Sequence, residues 1–208
     1  MSGKPLLIVA HPDLKASRLN AALICGVRSR GIADVHDIYA TYPDGRFDVR
    51  KEQALVDAHR RIVFQFPFYW YSCPPLLLTW LKDVWMRGWA YGPGGRKLNF
   101  KTFGVAVTTG SHGRDYQHQG RYRRTIEEVL IPFELLARQT GMHYLPPFSI
   151  TAAREVSDEE LDARVLDYCD HIVSSRPLFE FDGKDDNRAK TVYPAHYYTD
   201  VPEGEKNV

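Results

Sequence analysis

The chain has 208 residues, of which 44% are hydrophobic, enough for one buried core and too few residues for two large domains. Its 27 basic and 26 acidic side chains leave a net charge of +1, which gives no long-range field to attract nucleic acid or an anionic membrane. Cys25, Cys73 and Cys169 lie far apart without C-x-x-C spacing, which argues against a disulfide framework or a zinc site.

The hydropathy pattern predicts the compartment. No apolar stretch reaches the length of a membrane span, and the opening MSGKPLLIVAHPD turns polar too early for a signal peptide. We therefore expect a cytoplasmic protein that binds a small or locally recognised partner and does not bind nucleic acid.

The first part of the chain alternates between strand and helix patterns. The apolar run at residues 6–10 is typical of a strand covered on both faces. A helical pattern follows, with Ser17 at its start and Gly31 as its stop signal. The pattern then predicts a second strand at residues 33–39 and a second helix at residues 49–59.

The same alternation continues to residue 173. Residues 62–66 and 103–108 predict the third and fourth strands, and between them Pro74 and Pro75 open a strongly apolar helix. The remaining predicted elements are a helix at 125–140 in which Pro132 marks either a kink or the true start, a fifth strand at 143–150 and a helix at 158–173.

Five strands alternating with helices predict an α/β fold, because parallel strands need crossover connections that place helices on both faces of the sheet. We assign residues 1–176 to this domain. Beyond Pro177 the periodicity is lost, so residues 177–208 form either a disordered tail or an arm laid over a neighbour. The tyrosines of this segment favour the arm.

In an open parallel sheet, ligands bind outside the carboxyl ends of the strands, where the strand order reverses. This rule nominates the loops at residues 11–17, 67–73 and 109–120. None of them contains the phosphate-loop pattern G-x-x-x-x-G-K-[ST] or the dinucleotide pattern G-x-G-x-x-G. The sequence therefore does not support hydrolysis of a nucleoside triphosphate.

The first loop leads into a helix whose first N–H groups lack partners and form a ready anion site. The Ser17 hydroxyl, together with the N–H groups near Leu19 and Asn20, is placed to reach a phosphate. The alternative is that Ser17 is an ordinary helix cap and His11 an ordinary loop residue.

The other two loops offer a ring surface and a polar edge. Phe68, Tyr69, Trp70 and Tyr71 are consecutive, so they cannot all face one core, and some must contact solvent, an interface or a ligand. Residues 108–111, Thr-Thr-Gly-Ser, supply hydroxyl and N–H groups suited to the edge of a planar heterocycle. A flat, phosphorylated cofactor fits all three loops, and packing of the rings among themselves is the alternative.

Five motifs in the same order resemble one family. They are A-H-P with S-x-x-N at residues 10–20, Q-x-P-x-x-W-Y-S-x-P-P at 65–75, G-W-A-Y-G-x-G-G at 88–95, T-T-G at 108–110 and L-P-P-F at 145–148. Together they resemble the flavodoxin-like NAD(P)H:quinone oxidoreductases, in particular the bacterial branch that includes the ancillary quinone reductases of glutathione-gated potassium efflux systems. The resemblance covers roughly residues 4–175.

This resemblance implies a flavodoxin-like three-layer sandwich with a five-stranded parallel sheet in the order 2-1-3-4-5. It implies a homodimer with one flavin per subunit, FMN being favoured over FAD. NADH or NADPH would reduce the flavin, and a quinone would then take the hydride from flavin N5 in a ping-pong reaction. The apolar helix at 75–86 and the glycine-rich loop after it would form the two-fold interface, with burial inside one subunit as the alternative.

The resemblance also assigns site residues by position. The flavin phosphate or ribityl end would contact His11, Ser17, Arg18, Leu19 and Asn20. The isoalloxazine ring would be lined by Pro67, Phe68, Tyr69, Trp70 and Tyr71. Its polar edge would bond to Thr108, Thr109, Gly110 and Ser111, of which Ser111 departs from the family because relatives often carry a second glycine there. The reactive face would be near Tyr116, His118 and Tyr122.

Tyr116 or His118 is expected to donate a hydrogen bond or a proton to the quinone oxygen, although His118 is equally well explained as a solvated loop histidine. Two other functions stay open. One alternative is a regulatory or docking subunit of a potassium efflux transporter with secondary redox activity. The other alternative is a reductase of azo or nitro compounds.

Overall fold

The computed structural model describes residues 3–181 and the backbone of residues 190–191. Its elements in chain order are β1 (Leu6–Val9), α1 (Arg18–Arg30), β2 (Asp34–Asp37), α2 (Ile38–Thr41), α3 (Val49–Asp57), β3 (Arg61–Pro67), α4 (Pro75–Val84), β4 (Thr102–Thr108), α5 (Ile126–Val129), α6 (Ile131–Gln139), β5 (His143–Tyr144), β6 (Phe148–Ile150), α7 (Asp158–Ser174), β7 (Phe179–Glu180) and β8 (Lys190–Thr191).

The sheet has the predicted parallel order. β1 pairs with β2 on one side and β3 on the other, β3 pairs with β4, and both β5 and β6 lie along β4, all in parallel. This arrangement confirms the expected order 2-1-3-4-5, with the fifth position shared by two short strands. In the register Pro67 lies opposite Thr108, which itself lies opposite Ile150, so the carboxyl ends of β3, β4 and β6 meet at one edge.

Two predicted elements are divided at prolines. The strand expected at residues 143–150 is two strands, β5 and β6, separated by residues 145–147, where Pro146 and Pro147 have no N–H to donate to the ladder. The helix expected at residues 125–140 is likewise two helices. Pro132 lies in the first turn of α6, so it marks the start of a helix, one of the two predicted alternatives.

The strands alternate between two cores, because successive side chains of a strand point to opposite faces. Leu6 and Ile8 of β1 pack in one core, which also holds Trp80 of α4 and Phe133 of α6. Leu7 and Val9 pack in the other core, against the apolar faces of α1 and α7. The molecule is therefore a three-layer sandwich. At the end of α1, Gly31 adopts φ 60° and caps the helix as expected.

The sheet extends beyond the five parallel positions. β7 pairs with β5 and β8 pairs with β7, both in antiparallel fashion. Residues 182–189 and 192–208, including the tyrosines 193, 197 and 198, lie outside the described residues. In the part of the chain that the structure describes, no helix combines the length and apolarity required to cross a bilayer.

Candidate functional site

The three nominated loops meet at the carboxyl edge of the sheet. The Phe68 N–H donates to the Thr108 carbonyl at 2.8 Å, which joins the loop after β3 to the loop after β4. Asn20 Nδ2, in the first turn of α1, donates to Thr108 Oγ1 at 3.0 Å. The Thr109 N–H donates to the Ile150 carbonyl at 3.0 Å, which anchors the third loop on β6. Residues far apart in the sequence thus form one surface.

The loop before α1 has its hydrogen bonds arranged around Ser17. Ser17 Oγ accepts from the Asn20 N–H at 3.3 Å and caps the helix, as the sequence predicts. The guanidinium group of Arg18 is engaged by the Val156 carbonyl and the Asp158 carboxylate, and the Leu19 side chain is buried. Arg18 and Leu19 therefore offer a ligand at this helix end only their backbone N–H groups.

His11 stands at the mouth of the same loop. Its Nδ1 accepts from the Asp13 N–H at 3.1 Å, which leaves the proton of the neutral ring on Nε2. Burial lowers the pKa of His11 below its ordinary value, although the nearby charges of Asp13 and Asp37 oppose this shift. In its neutral form, which burial favours, His11 is therefore a donor through Nε2.

The ring-rich segment after β3 is a tight hairpin. Tyr69 and Ser72 exchange two backbone hydrogen bonds of 2.9 and 3.0 Å, and the two residues between them, Trp70 and Tyr71, have φ of 49° and 61°. A turn with two left-handed residues normally uses Asn or Gly, and aromatic residues adopt it at a cost of about 1–2 kcal/mol each. Trp70 is 93% exposed, so its ring does not compensate for this strain within the chain.

A cluster of aromatic rings lies beside the hairpin. Tyr122 packs at 4.9 Å from Tyr116 and 5.3 Å from Tyr71, measured between ring centroids, and Phe68 lies 6.2 Å from Tyr116. A side chain at Gly120 would come within 2.2 Å of the Arg114 carbonyl oxygen. The turn that returns Tyr122 to Tyr116 therefore requires glycine.

Hydroxyl groups connect this ring cluster to the Thr-Thr-Gly-Ser loop. Thr109 Oγ1 lies 3.0 Å from the Tyr116 hydroxyl, and Ser111 Oγ lies 2.8 Å from the Tyr122 hydroxyl. The hydrogen bond with Tyr122 raises the pKa of Tyr71, as expected when the Tyr71 O–H is the donor. The Tyr71 ring therefore lies against a tyrosine whose hydroxyl pairs with Ser111, and the Ser111 side chain has a defined partner.

The remaining candidates occupy different surroundings. A Cβ added at Gly110 would meet nothing within 4 Å, so the loop presents open backbone there. Pro67 is the last residue of β3. Nδ1 of His118 lies 3.9 Å from a carboxylate oxygen of Glu128, and about half of the His118 side chain is exposed.

Two buried residues of the site are not among those predicted as ligand contacts. Gln65 is 1% exposed and Tyr168 is fully buried, and the Tyr168 hydroxyl donates to Gln65 Oε1 at 2.9 Å. Gln65 Nε2 donates to Asn20, so these residues support the loop before α1. A glutamine within the apolar run RIVFQFP is the sequence signal for Gln65, because a buried amide requires partners.

A model of the flavodoxin-like fold matches residues 3–172. The chain belongs to the flavodoxin-like family. Among curated relatives, an uncharacterized NAD(P)H oxidoreductase, YrkL, of Bacillus subtilis is 43% identical over 168 residues, which cover 79% of this chain and 97% of that protein. The glutathione-regulated potassium-efflux system ancillary protein KefG of Escherichia coli is 42% identical over 171 residues, which cover 82% of this chain and 93% of the relative.

Two solved structures are similar in fold and in sequence. The general stress protein 14 of Treponema denticola, determined in complex with FMN, is 39% identical with a TM-score of 0.76, over 79% of this chain and 95% of that chain. An NADPH-quinone reductase from P. pentosaceus is 29% identical with a TM-score of 0.76, over 82% of this chain and 98% of that chain. Relatives of this flavodoxin-like chain thus include NAD(P)H oxidoreductases and quinone reductases.

Proposed function

We propose that the protein is a cytoplasmic, FMN-dependent NAD(P)H:quinone oxidoreductase. The observation that carries this proposal is the convergence of three different surfaces at one edge of the sheet: N–H groups at the start of α1, the strained aromatic hairpin after β3, and the Thr-Thr-Gly-Ser loop after β4. The names of the NAD(P)H oxidoreductase and quinone reductase relatives support the reaction, and the FMN complex of a relative supports the cofactor.

The residues fit a flavin mononucleotide in three ways. The N–H groups of Arg18 and Leu19, with the Ser17 hydroxyl that Asn20 positions, would hold the phosphate, and the neutral His11 would donate to it through Nε2. The hairpin formed by residues 69–72 would line the ring, which accounts for the exposure of Trp70. The open backbone at Gly110 would leave room for the polar edge of the ring, to which Thr109 and Ser111 would bond.

When bound, the flavin would supply the redox chemistry, taking a hydride from NAD(P)H at N5 and giving it to the quinone. The protein would position both flat substrates in turn on the ring side of the site, which predicts a ping-pong order. The Tyr122 O–H and the Tyr116 O–H would donate hydrogen bonds to the quinone oxygen as negative charge develops there. The contacts of Ser111 with Tyr122 and of Thr109 with Tyr116 would orient these hydroxyl groups.

We further propose that the active form is a homodimer whose interface includes the exposed apolar side chains of α4 and α6. Leu78 of α4 and Met86 just beyond it are about half exposed, and so are Ile131 and Leu135 of α6. Large apolar side chains exposed on neighbouring helices favour an interface over contact with water. A monomer in light scattering at micromolar concentration would contradict this assembly.

The reaction is tested by steady-state kinetics of the purified protein with FMN. Double-reciprocal plots for NADPH at several concentrations of benzoquinone should give parallel lines, because one product leaves before the second substrate binds. NADH in place of NADPH, and FAD in place of FMN, then identify the preferred reductant and cofactor. Absence of reductant oxidation with any quinone would overturn the proposed enzyme.

A second function is favoured by the 42% identity to the potassium-efflux ancillary protein. In that role the chain would act as a subunit that docks on a membrane transporter, and its redox turnover would be secondary. Flavin binding with negligible turnover by the isolated protein would support this role, whereas rapid turnover would support the enzyme. An azo dye or a nitroaromatic compound in place of the quinone tests the other acceptor classes.

A further inference from the structure

A continuous chain of buried hydrogen bonds runs from α7 to the candidate phosphate loop. Tyr168 donates to Gln65 Oε1 at 2.9 Å, and Gln65 Nε2 donates to the backbone oxygen of Asn20 at 3.2 Å and to Asn20 Oδ1 at 3.1 Å. Asn20 Nδ2 then donates to Ser17 Oγ at 3.2 Å and to Thr108 Oγ1 at 3.0 Å. Every amide proton of the two side chains therefore has an acceptor.

The direction of this chain is fixed, because one of its acceptors is a backbone carbonyl. The carbonyl oxygen of Asn20 can only accept, so Gln65 must turn its NH₂ group toward Asn20 and its oxygen toward Tyr168. The second proton of this NH₂ group occupies Asn20 Oδ1. Asn20 must consequently turn its own NH₂ group toward the two hydroxyls at the edge of the sheet.

This direction determines what the hydroxyl groups offer to a ligand. Ser17 Oγ already accepts from the backbone N–H and from Nδ2 of Asn20, which occupies both of its lone pairs. Thr108 Oγ1 also accepts from Asn20, so the protons of both hydroxyls point away from Asn20. A phosphate group presents acceptors, whereas a terminal hydroxyl can accept or donate as required.

We infer that Gln65 is a positioning residue that makes the Ser17 hydroxyl a hydrogen-bond donor, and thereby selects a phosphorylated flavin over its unphosphorylated form. The inference rests on the proposed flavin-binding function. In the register of the sheet Gln65 lies opposite Val9 and Ala106, before the carboxyl edge that Thr108 occupies. Gln65 therefore acts on the site through Asn20.

The test compares FMN with riboflavin, which lacks the phosphate, by quenching of flavin fluorescence with full-length protein. Gln65→Met keeps the length of the side chain and removes the amide donor, so Asn20 is free to invert. We expect the Kd for FMN to rise about tenfold or more, since hydrogen bonds to a charged group are affected. The Kd for riboflavin should change less than about twofold, because its hydroxyl adapts to either direction.

Tyr168→Phe is the matched control. It also removes one hydrogen bond from Gln65, but the backbone carbonyl of Asn20 still fixes the direction of the amide. The melting temperature should fall while the ratio of the two Kd values stays at that of the unmodified protein. If Gln65→Met does not fold, Gln65→Leu replaces it, since it likewise removes both amide protons and adds no charge near the phosphate site.

The inference is overturned if the Gln65 variant weakens FMN and riboflavin equally, or if Tyr168→Phe lowers the ratio as much. Either result would mean that the chain of hydrogen bonds makes the loop rigid and does not determine which groups donate to the ligand. If the unmodified protein binds neither flavin, the proposed function itself fails, which is a separate outcome. Retained FMN selectivity in both variants would also contradict the role of Gln65.

Discussion

Two buried polar clusters of this protein differ in where their hydrogen bonds end. Glu52 accepts from the Tyr42 hydroxyl at 2.7 Å, Trp80 Nε1 at 2.7 Å and His36 Nε2 at 2.9 Å, and it joins α3 to α4 and β2. The chain through Gln65 and Asn20 instead ends on hydroxyls at the ligand edge of the sheet. Both clusters are buried, but only the second reaches the candidate site.

This difference assigns the Glu52 cluster to the stability of the fold and the Gln65–Asn20 cluster to ligand binding. A cluster whose partners are all internal stabilises the fold, because removing any member leaves a buried polar group unpaired. A cluster that ends at the surface also determines which groups a ligand meets. Changes at Glu52 should therefore alter unfolding without altering flavin selectivity, whereas changes at Gln65 should alter flavin selectivity.

The largest expected effect is on stability. Glu52→Ala should lower the free energy of unfolding by about 3–5 kcal/mol, since three hydrogen bonds to one carboxylate are lost inside the core. Urea denaturation followed by fluorescence measures the change. Glu159→Ala, at an exposed position in α7, is the control and should cost less than about 1 kcal/mol. Equal losses in the two variants would show that the cluster is not a stability element.

The next effect is on turnover. Tyr122→Phe removes the hydroxyl that lies 2.8 Å from Ser111 Oγ and should slow reoxidation of the reduced protein by quinone about tenfold, because a donor to the developing charge is lost. Stopped-flow absorbance measures each half-reaction, and reduction by NADPH should be unchanged. Ser111→Gly keeps Tyr122 and removes its partner, so a smaller slowing is expected. If quinone reduction by Tyr122→Phe is normal, Tyr122 is not the donor.

A smaller effect is expected in acid. Burial alone would raise the pKa of Glu52, but the hydrogen bonds from His36, Tyr42 and Trp80 outweigh it and lower the pKa below 4.5. A lowered pKa stabilises the folded state above the ordinary value and loses this contribution as the pH falls through the folded value. The stability difference between the unmodified protein and Glu52→Gln should therefore shrink below pH 4.5. A difference that grows in acid would contradict the sign of this shift.

The smallest effect concerns the strained hairpin. Trp70→Gly and Trp70→Ala both remove an exposed ring, but only glycine adopts φ 49° without strain. The glycine variant should be the more stable by about 0.5–1 kcal/mol in thermal unfolding, and both should bind FMN less tightly than the unmodified protein. If the alanine variant proves equally stable, the turn carries no strain at Trp70.

Most of the fold follows from local patterns. The apolar run at residues 6–10 and the glycine at 31 predicted β1 and the end of α1, and the alternation of strands and helices predicted the parallel sheet. The order 2-1-3-4-5, which the family resemblance implied, was confirmed. The break between β5 and β6 was missed, although Pro146 and Pro147 were visible in the sequence. β7 has only two residues, which is too short for any periodicity to show.

The site was predictable in its loops and not in its connections. Ser17 was recognised as a cap from its residue type and position. The bonds of Gln65 to Asn20 and Tyr168 span 45 and 103 residues, and only the folded sheet brings these partners together. The left-handed turn at Trp70 and Tyr71 was not predictable, since neither residue is typical of that conformation.

Whether the carboxyl edge of the sheet is an FMN site is decided by titrating the purified protein with FMN and recording flavin fluorescence. We expect saturable quenching with one FMN per chain, and weaker binding when Asn20 is changed to Ala. Absence of binding at micromolar FMN, or equal binding by Asn20→Ala, would contradict it.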